Sequence, residues 1–93
     1  MERRVTVRMA KALPTSRMSR ALGALALLKR EIENDETAYD PRSLKNILEW
    51  IKIIKDRIKS KDRYGALHAC EAAMRYPVKN KIFRAWLRLN NSI

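Results

Sequence analysis

Residues 40–60, DPRSLKNILEWIKIIKDRIKS, have the pattern of a capped amphipathic helix. Asp40 is a preferred N-cap residue, and Pro41 suits the first helical position, where its missing N–H is harmless. Aliphatic side chains then recur at helical spacing and form one wide apolar stripe: Leu44, Ile47, Leu48, Ile51, Ile54 and Ile58. The stripe also repeats every seven residues, but over fewer than the roughly three to four heptads that argue for a coiled coil. We therefore favour one face of a helical bundle over a coiled-coil seam.

Similar stripes predict further helices on both sides of this stretch. The helix before it has Thr15 or Ser16 as a possible cap, and the helix after it begins at Asp62 and ends before Pro77. The helices are expected at about residues 16–33, 41–60, 62–76 and 79–90. Helices joined by short connections predict an all-α fold, here a small bundle of about four helices. A chain of 93 residues supports one such domain, at residues 14–93.

Residues 1–13, MERRVTVRMAKAL, differ from the helical domain. Their apolar residues fit both alternation and helical spacing, so we interpret the segment as a basic N-terminal arm that a partner orders. Mitochondrial transit peptides are likewise rich in arginine and poor in acidic residues, so mitochondrial targeting by residues 1–30 is an alternative. The single cysteine, Cys70, fits a reducing compartment, and we expect an intracellular protein of the cytoplasm or nucleus.

The net charge of the chain is +11, from 21 Lys and Arg against 10 Asp and Glu. A small domain needs a charge magnitude of only about 2 to 8 to stay soluble, so the excess favours an anionic partner. The charge is uneven, at +5 over residues 1–20, −2 over 21–44, +4 over 45–63 and +4 over 64–93. Basic residues therefore gather in the arm, on the outer face of the second helix, in the following link and on the fourth helix.

These clusters predict a protein that binds RNA or DNA mainly through the phosphate backbone, with low sequence specificity. Packaging, architectural and duplex-sequestering roles need this kind of contact. The predicted contact residues are Arg3, Arg4, Arg8, Lys11, Arg17, Arg20, Lys45, Lys52, Lys55, Lys59, Lys61, Arg63, Lys79, Lys81, Arg84 and Arg88. Helices three and four also permit a helix-turn-helix whose recognition helix begins at Lys79, although we favour a simple αα-hairpin.

Catalytic residue types are sparse and badly spaced. His68 and Cys70 lie two positions apart on a predicted helix and do not face each other, so they make no nucleophile–base pair. No His/Cys cluster has metal-ligand spacing, and Gly23 and Gly65 are isolated rather than part of a phosphate-binding loop. We therefore expect no enzymatic activity, no cofactor and no metal.

Two apolar residues of the second helix lie outside its stripe and suggest another interface. Trp50 lies at the margin of the stripe, and Ile53 lies among charged residues nearly opposite it. We expect them to form a homodimer contact.

The alternative function is a protein-interaction module that docks on an acidic partner through Trp50, Ile53 and Phe83. A third possibility is a peripheral membrane protein that uses residues 1–30 as a cationic amphipathic helix. No transmembrane segment is expected, since the longest apolar run is residues 21–28.

Overall fold

The computed structural model describes residues 13–93, and within them it contains four helices and no strand. Helix α1 spans Thr15–Glu33, α2 spans Pro41–Lys59, α3 spans Arg63–Met74 and α4 spans Asn80–Ser92. The predicted all-α bundle is confirmed for this part of the chain. The predicted contact residues of the arm, Arg3, Arg4, Arg8 and Lys11, lie outside the described residues.

The four helices pack in a ring in which each helix contacts two others. Helix α1 packs most extensively against α4, and α2 packs most extensively against α3. Smaller contacts join α1 to α2 and α3 to α4, and within residues 13–93 no Cα atoms of a diagonal pair of helices lie within 8 Å of each other. The short connections make successive helices antiparallel. Helix α1 therefore has α2 on one side and α4 on the other.

Capping by aspartate determines where α2 and α3 begin. The Asp40 side chain accepts a hydrogen bond from the backbone N–H of Ser43 at 2.8 Å, with Pro41 as the first helical residue. The Asp62 side chain accepts a hydrogen bond from the backbone N–H of Gly65 at 2.9 Å. Both predicted caps are confirmed.

Helix α1 ends at Glu33 as predicted, and the remaining helix ends shift from their predicted positions by one or two residues. Helix α3 ends at Met74 rather than Tyr76, because Pro77 disfavours helical backbone in the residue before it. Helix α1 starts at Thr15 after Pro14, without the predicted side-chain cap, and α2 ends one residue early. Helix α4 begins one residue later than predicted and continues through Ser92, because its last turn is buried in the bundle.

All four helices contribute to a single core. The stripe of α2 is buried through Ile47, Ile51, Ile54 and Ile58, and α1 supplies Ala21, Leu25, Leu28 and Ile32. The alternative prediction was a transit peptide at residues 1–30. The part of that range that the structure describes lies almost entirely in α1, a helix that contributes to the core. The indole N–H of Trp86, on α4, donates to the hydroxyl oxygen of Tyr39 at 2.9 Å, which ties the connection between α1 and α2 to α4. None of the helices in residues 13–93 combines the length and apolar character needed to cross a bilayer.

Trp50 and Ile53 are half-buried and pack against this core. By helical spacing they share a flank of α2 with Arg57, whose Nη1 donates to the carbonyl oxygen of Gly65 on α3 at 3.1 Å. The packed face of α3 consists of Cys70 and three alanines, and such small side chains let two helices approach closely. Close approach of α3 thus covers part of the surface that the predicted homodimer contact would use.

Candidate nucleic-acid interface

A groove of about 610 Å³ runs between α1 and α2, and we call it the α1–α2 groove. Apolar side chains form its floor: Leu22, Leu25, Ala26 and Ile51. Five cationic side chains line its walls, namely Lys29 and Arg30 of α1 and Lys52, Lys55 and Lys59 of α2, against one carboxylate, Glu33. The groove thus combines an apolar floor with a strongly cationic rim.

The three lysines of α2 reach this groove because they follow one another at spacings of three and four residues. This spacing keeps them on one flank of a helix, and that flank faces α1. Their aliphatic stems can lie along apolar surface while the ammonium groups stay in water. Lys29 and Arg30 complete the rim, although neither was among the contact residues predicted from the sequence. Lys29 is seven residues after Leu22 and shares its helix face, but the sequence did not show which flank of α1 meets α2.

A second basic groove, of about 350 Å³, lies between α1 and α4. Lys81, Arg84 and Arg88 of α4 line it together with Glu31 of α1. Lys81 Nζ lies 3.4 Å from Glu31 Oε1, in an exposed ion pair that contributes little to stability. The structure thus brings together the three cations that the sequence placed on one side of the fourth helix.

A third hollow, of about 200 Å³, shares lining residues with both grooves. Arg30 lines this hollow and also the α1–α2 groove. Lys81 and Glu31 line the hollow and also the groove beside α4. The three depressions therefore form one surface across α2, α1 and α4, which we call the basic face. Its cations are Lys29, Arg30, Lys52, Lys55, Lys59, Lys81, Arg84 and Arg88.

The basic face has a strong excess of positive charge. Its eight cations share the surface with three carboxylates, from Glu31, Glu33 and Asp35. Among residues 13–93, the ion pairs are Lys81 with Glu31 and Lys79 with Asp35, so seven cations of the basic face have no carboxylate partner there. Because unpaired cations on one surface repel one another, this surface favours an anionic ligand.

Three other predicted contact residues are engaged within the protein. Arg17 Nη1 and Arg63 Nε donate to the main-chain oxygen of Ile93 at 3.4 and 3.0 Å, so they join α1 and α3 to the end of α4. Lys79 Nζ donates to Thr37 Oγ1 and lies 3.4 Å from Asp35 Oδ2. These contacts give all three residues a structural role.

The last three predicted contact residues in the described part of the chain are Arg20, Lys45 and Lys61. All three are exposed, and none of them lines the basic face. Lys61 has a positive φ of 61°, in the turn between α2 and α3. They extend the positive charge of the surface without lining any of the three depressions.

The acidic connection between α1 and α2 borders the basic face. The Thr37 hydroxyl and backbone N–H, together with Lys79, hold the pKa of Asp35 below its usual value of 3.8. Asp35 therefore stays ionised at neutral pH and places a negative charge in the hollow between the two grooves.

His68 and Cys70 offer no reactive pair. His68 is exposed and its ring stacks on Tyr64, with the ring centroids 6.4 Å apart. Cys70 is buried, and burial raises the pKa of its thiol to about 11, so the sulfur stays protonated at neutral pH. Within residues 13–93, no three His, Cys, Asp or Glu side chains lie close enough together to hold a metal ion.

Aromatic side chains do not line the basic face in the part of the chain that the structure describes. The exposed rings of Tyr64 and Phe83 lie elsewhere, on α3 and α4. The face therefore offers cations for phosphates rather than a platform on which bases stack.

Comparisons of the chain with models of known protein families, with curated proteins and with solved structures found no match.

Proposed function

We propose that the protein binds RNA or DNA through the phosphate backbone, with the basic face as its contact surface. The continuity of that face across three helices carries the proposal. Helices pack at axial distances of about 8–10 Å, so the width of the face, followed around α1 from α2 to α4, is roughly 16–20 Å. Duplex DNA carries one phosphate charge per about 1.7 Å of its axis, so a surface of this width meets several phosphates at once.

Contacts of this kind carry little sequence information. The α2 side of the face is made of lysines, which act as mobile point charges, while Arg30, Arg84 and Arg88 can bond phosphate oxygens bidentately. The basic side of α4 lies beside α1, with Lys81 paired to Glu31, rather than projecting alone as a recognition helix. This placement supports backbone binding, suited to packaging, architecture or duplex sequestration, over the helix-turn-helix alternative.

A salt titration with two matched double variants tests the proposal. A fluorescently labelled duplex of about 20 base pairs, as DNA and as RNA, is titrated with the protein at increasing salt. Lys55→Gln/Lys59→Gln removes two charges from the basic face. Arg42→Gln/Arg75→Gln removes two charges from exposed residues that line none of its hollows.

We expect the first pair to reduce the slope of log K against log salt by about 1.8, since each lost phosphate contact changes it by about 0.9. The second pair should change the slope much less, although the net charge of the two variants is the same. No binding at low salt would refute the function. Equal effects of the two pairs would show that net charge, rather than the basic face, binds the duplex.

A homodimer remains part of the proposal, and light scattering with and without duplex tests it. A protein that stays monomeric in both conditions would rule the dimer out.

The alternative function, an adaptor that docks through Trp50, Ile53 and Phe83, has less support. Trp50 and Ile53 are half-buried against the protein's own core, and Phe83 lies on α4, which is diagonal to α2 in the ring of helices. Three such residues do not offer a partner one apolar surface.

A further inference from the structure

The floor of the α1–α2 groove is a feature that phosphate binding does not use. Leu25 and Ile51 are core residues that close the groove from below, while half-buried Leu22 and exposed Ala26 offer apolar surface to a ligand. A sugar–phosphate backbone gains nothing from aliphatic carbon, and no aromatic ring in the described lining holds a base. The groove thus suits a ligand that is apolar on one side and anionic at its edges.

We propose that the α1–α2 groove docks an acidic amphipathic helix of a partner protein. An amphipathic helix that lays its apolar face into a hydrophobic groove is a common mode of peptide recognition. Here the partner would place its apolar residues over Leu22 and Ala26 and its carboxylates against the lysines on both walls.

The shape of the groove fits a helix because its lining follows helical ridges. On α1 the lining residues Leu22, Leu25, Ala26 and Lys29 are spaced three and four apart. Ridges of this spacing receive the side chains of a neighbouring helix, as they do in the bundle itself. From Leu22 to Glu33 the α1 wall is about 16 Å long, which is about three turns of a partner helix.

The charges of the groove select an acidic partner. Lys29 and Arg30 lie on the half of α1 that leads to the connection, whereas Lys55 and Lys59 lie in the last turns of α2. Because the two helices are antiparallel, these pairs lie toward opposite ends of the groove. A helix with carboxylates at both ends of an apolar stripe therefore matches the groove, and a basic helix would be repelled.

Docking of this helix would also regulate the proposed function. Lys52, Lys55 and Lys59 belong both to the groove and to the basic face, so the acidic helix and nucleic acid would compete for the same ammonium groups. This competition rests on the proposed function, whereas docking of the helix does not. The test therefore measures the two ligands separately and then together.

The probe is a fluorescein-labelled peptide of about 14 residues that contains only Leu, Ala and Glu, with its leucines spaced three and four apart. A control peptide has the same composition with its leucines scattered. Ala26→Gln makes the floor polar without changing the charge, and Ala26 is exposed, so folding is retained; far-UV circular dichroism checks this. Leu27→Gln is the matched control, because Leu27 is exposed on the same helix and does not line the groove.

We expect the amphipathic peptide to bind at least about tenfold more tightly than the scattered one, a difference of about 1.4 kcal/mol. Ala26→Gln should weaken binding of the amphipathic peptide about tenfold, and Leu27→Gln should change it less than about twofold. Lys55→Gln/Lys59→Gln should weaken both the peptide and the duplex, whereas Ala26→Gln removes no cation and should leave the salt slope of duplex binding unchanged. Added duplex should displace the bound peptide.

Equal binding of the two peptides, or unchanged peptide affinity in Ala26→Gln, would overturn the inference, because binding would then be electrostatic only. Binding of duplex without any binding of peptide would also overturn it and would leave the proposed function standing. Binding of the amphipathic peptide without any binding of duplex would support docking and would refute the proposed function together with the competition.

Discussion

Removing one oxygen atom from Tyr39 tests how the connection between α1 and α2 is held. The Tyr39 side chain is 7% exposed, and its hydroxyl oxygen accepts a hydrogen bond from the indole N–H of Trp86, whose side chain is fully buried. Tyr39→Phe keeps the ring and its packing and removes the acceptor. The indole N–H is then left buried, and no other protein acceptor bonds it in the structure.

The expected loss of stability follows from that unpaired N–H. A buried donor without a partner costs about 1–3 kcal/mol, because the unfolded chain regains its hydrogen bond to water. Part of this is offset, since the variant no longer buries a hydroxyl group; the same burial raises the pKa of Tyr39 above its usual 10.0. We expect a net loss of about 1–2 kcal/mol, or about 5–15 °C in Tm for a domain of this size.

Urea unfolding followed by far-UV circular dichroism measures this difference. Tryptophan fluorescence is less suitable, because the chain has two tryptophans and one of them, Trp86, loses its hydrogen-bond partner in the variant. The control is Tyr64→Phe, at a tyrosine that is 45% exposed and should tolerate the change within about 0.5 kcal/mol. A Tyr39→Phe protein as stable as the wild type would refute the reasoning, since the indole N–H would then have another partner. Faster hydrogen exchange at that N–H would support it.

Further changes test the core, the cysteine and the acidic connection. Ile54→Ala should lower the free energy of unfolding by about 2–5 kcal/mol in urea titrations, because Ile54 is fully buried. Ile53→Ala should lower it much less, because Ile53 is only half-buried. Cys70 should resist iodoacetamide at pH 8 in the folded protein and react readily in urea, because burial raises the pKa of its thiol to about 11; mass spectrometry measures both. Thr37→Val should raise the pKa of Asp35 toward 3.8 in an NMR titration, since the Thr37 hydroxyl is the main cause of the depressed pKa. In the wild type, the contribution of Asp35 to stability is full above pH 3.8 and is lost as the pH falls below it, and the variant should show a smaller loss.

The position of α1 connects the fold to both proposals. Its buried stripe enters the core, and its two flanks form walls of separate basic grooves. Arg30 lies on the solvent side of α1 and lines depressions on both flanks, so it joins clusters that lie far apart in the sequence. An anionic ligand that spans the basic face must therefore cross α1. Substitutions on the exposed side of this helix should affect binding without disturbing the core.

Much of the candidate site could be predicted from local sequence. Lys52, Lys55 and Lys59, and likewise Lys81, Arg84 and Arg88, share helix faces by their spacing alone, and the structure finds each set along one groove. Lys29 and Arg30 were missed because the acidic residues around them made residues 21–44 net negative. Charge summed over this stretch hides the two cations, and the structure places Glu31, Glu33 and Asp35 of the same stretch on the basic face beside them.

The sequence by itself determined the helices, because hydrophobic periodicity and capping by Asp40 and Asp62 are local properties. Only the tertiary structure decided which flanks meet. Whether the lysines of α2 line a groove beside α1 or point to solvent depends on how α1 and α2 pack, and two amphipathic helices can meet along either flank at similar energy until the rest of the core is placed. The same packing turned Arg17 and Arg63 from expected contact residues into donors to Ile93, and it covered much of Ile53. A continuous basic face is a property of the assembled bundle, since no single helix carries cations on more than part of its surface.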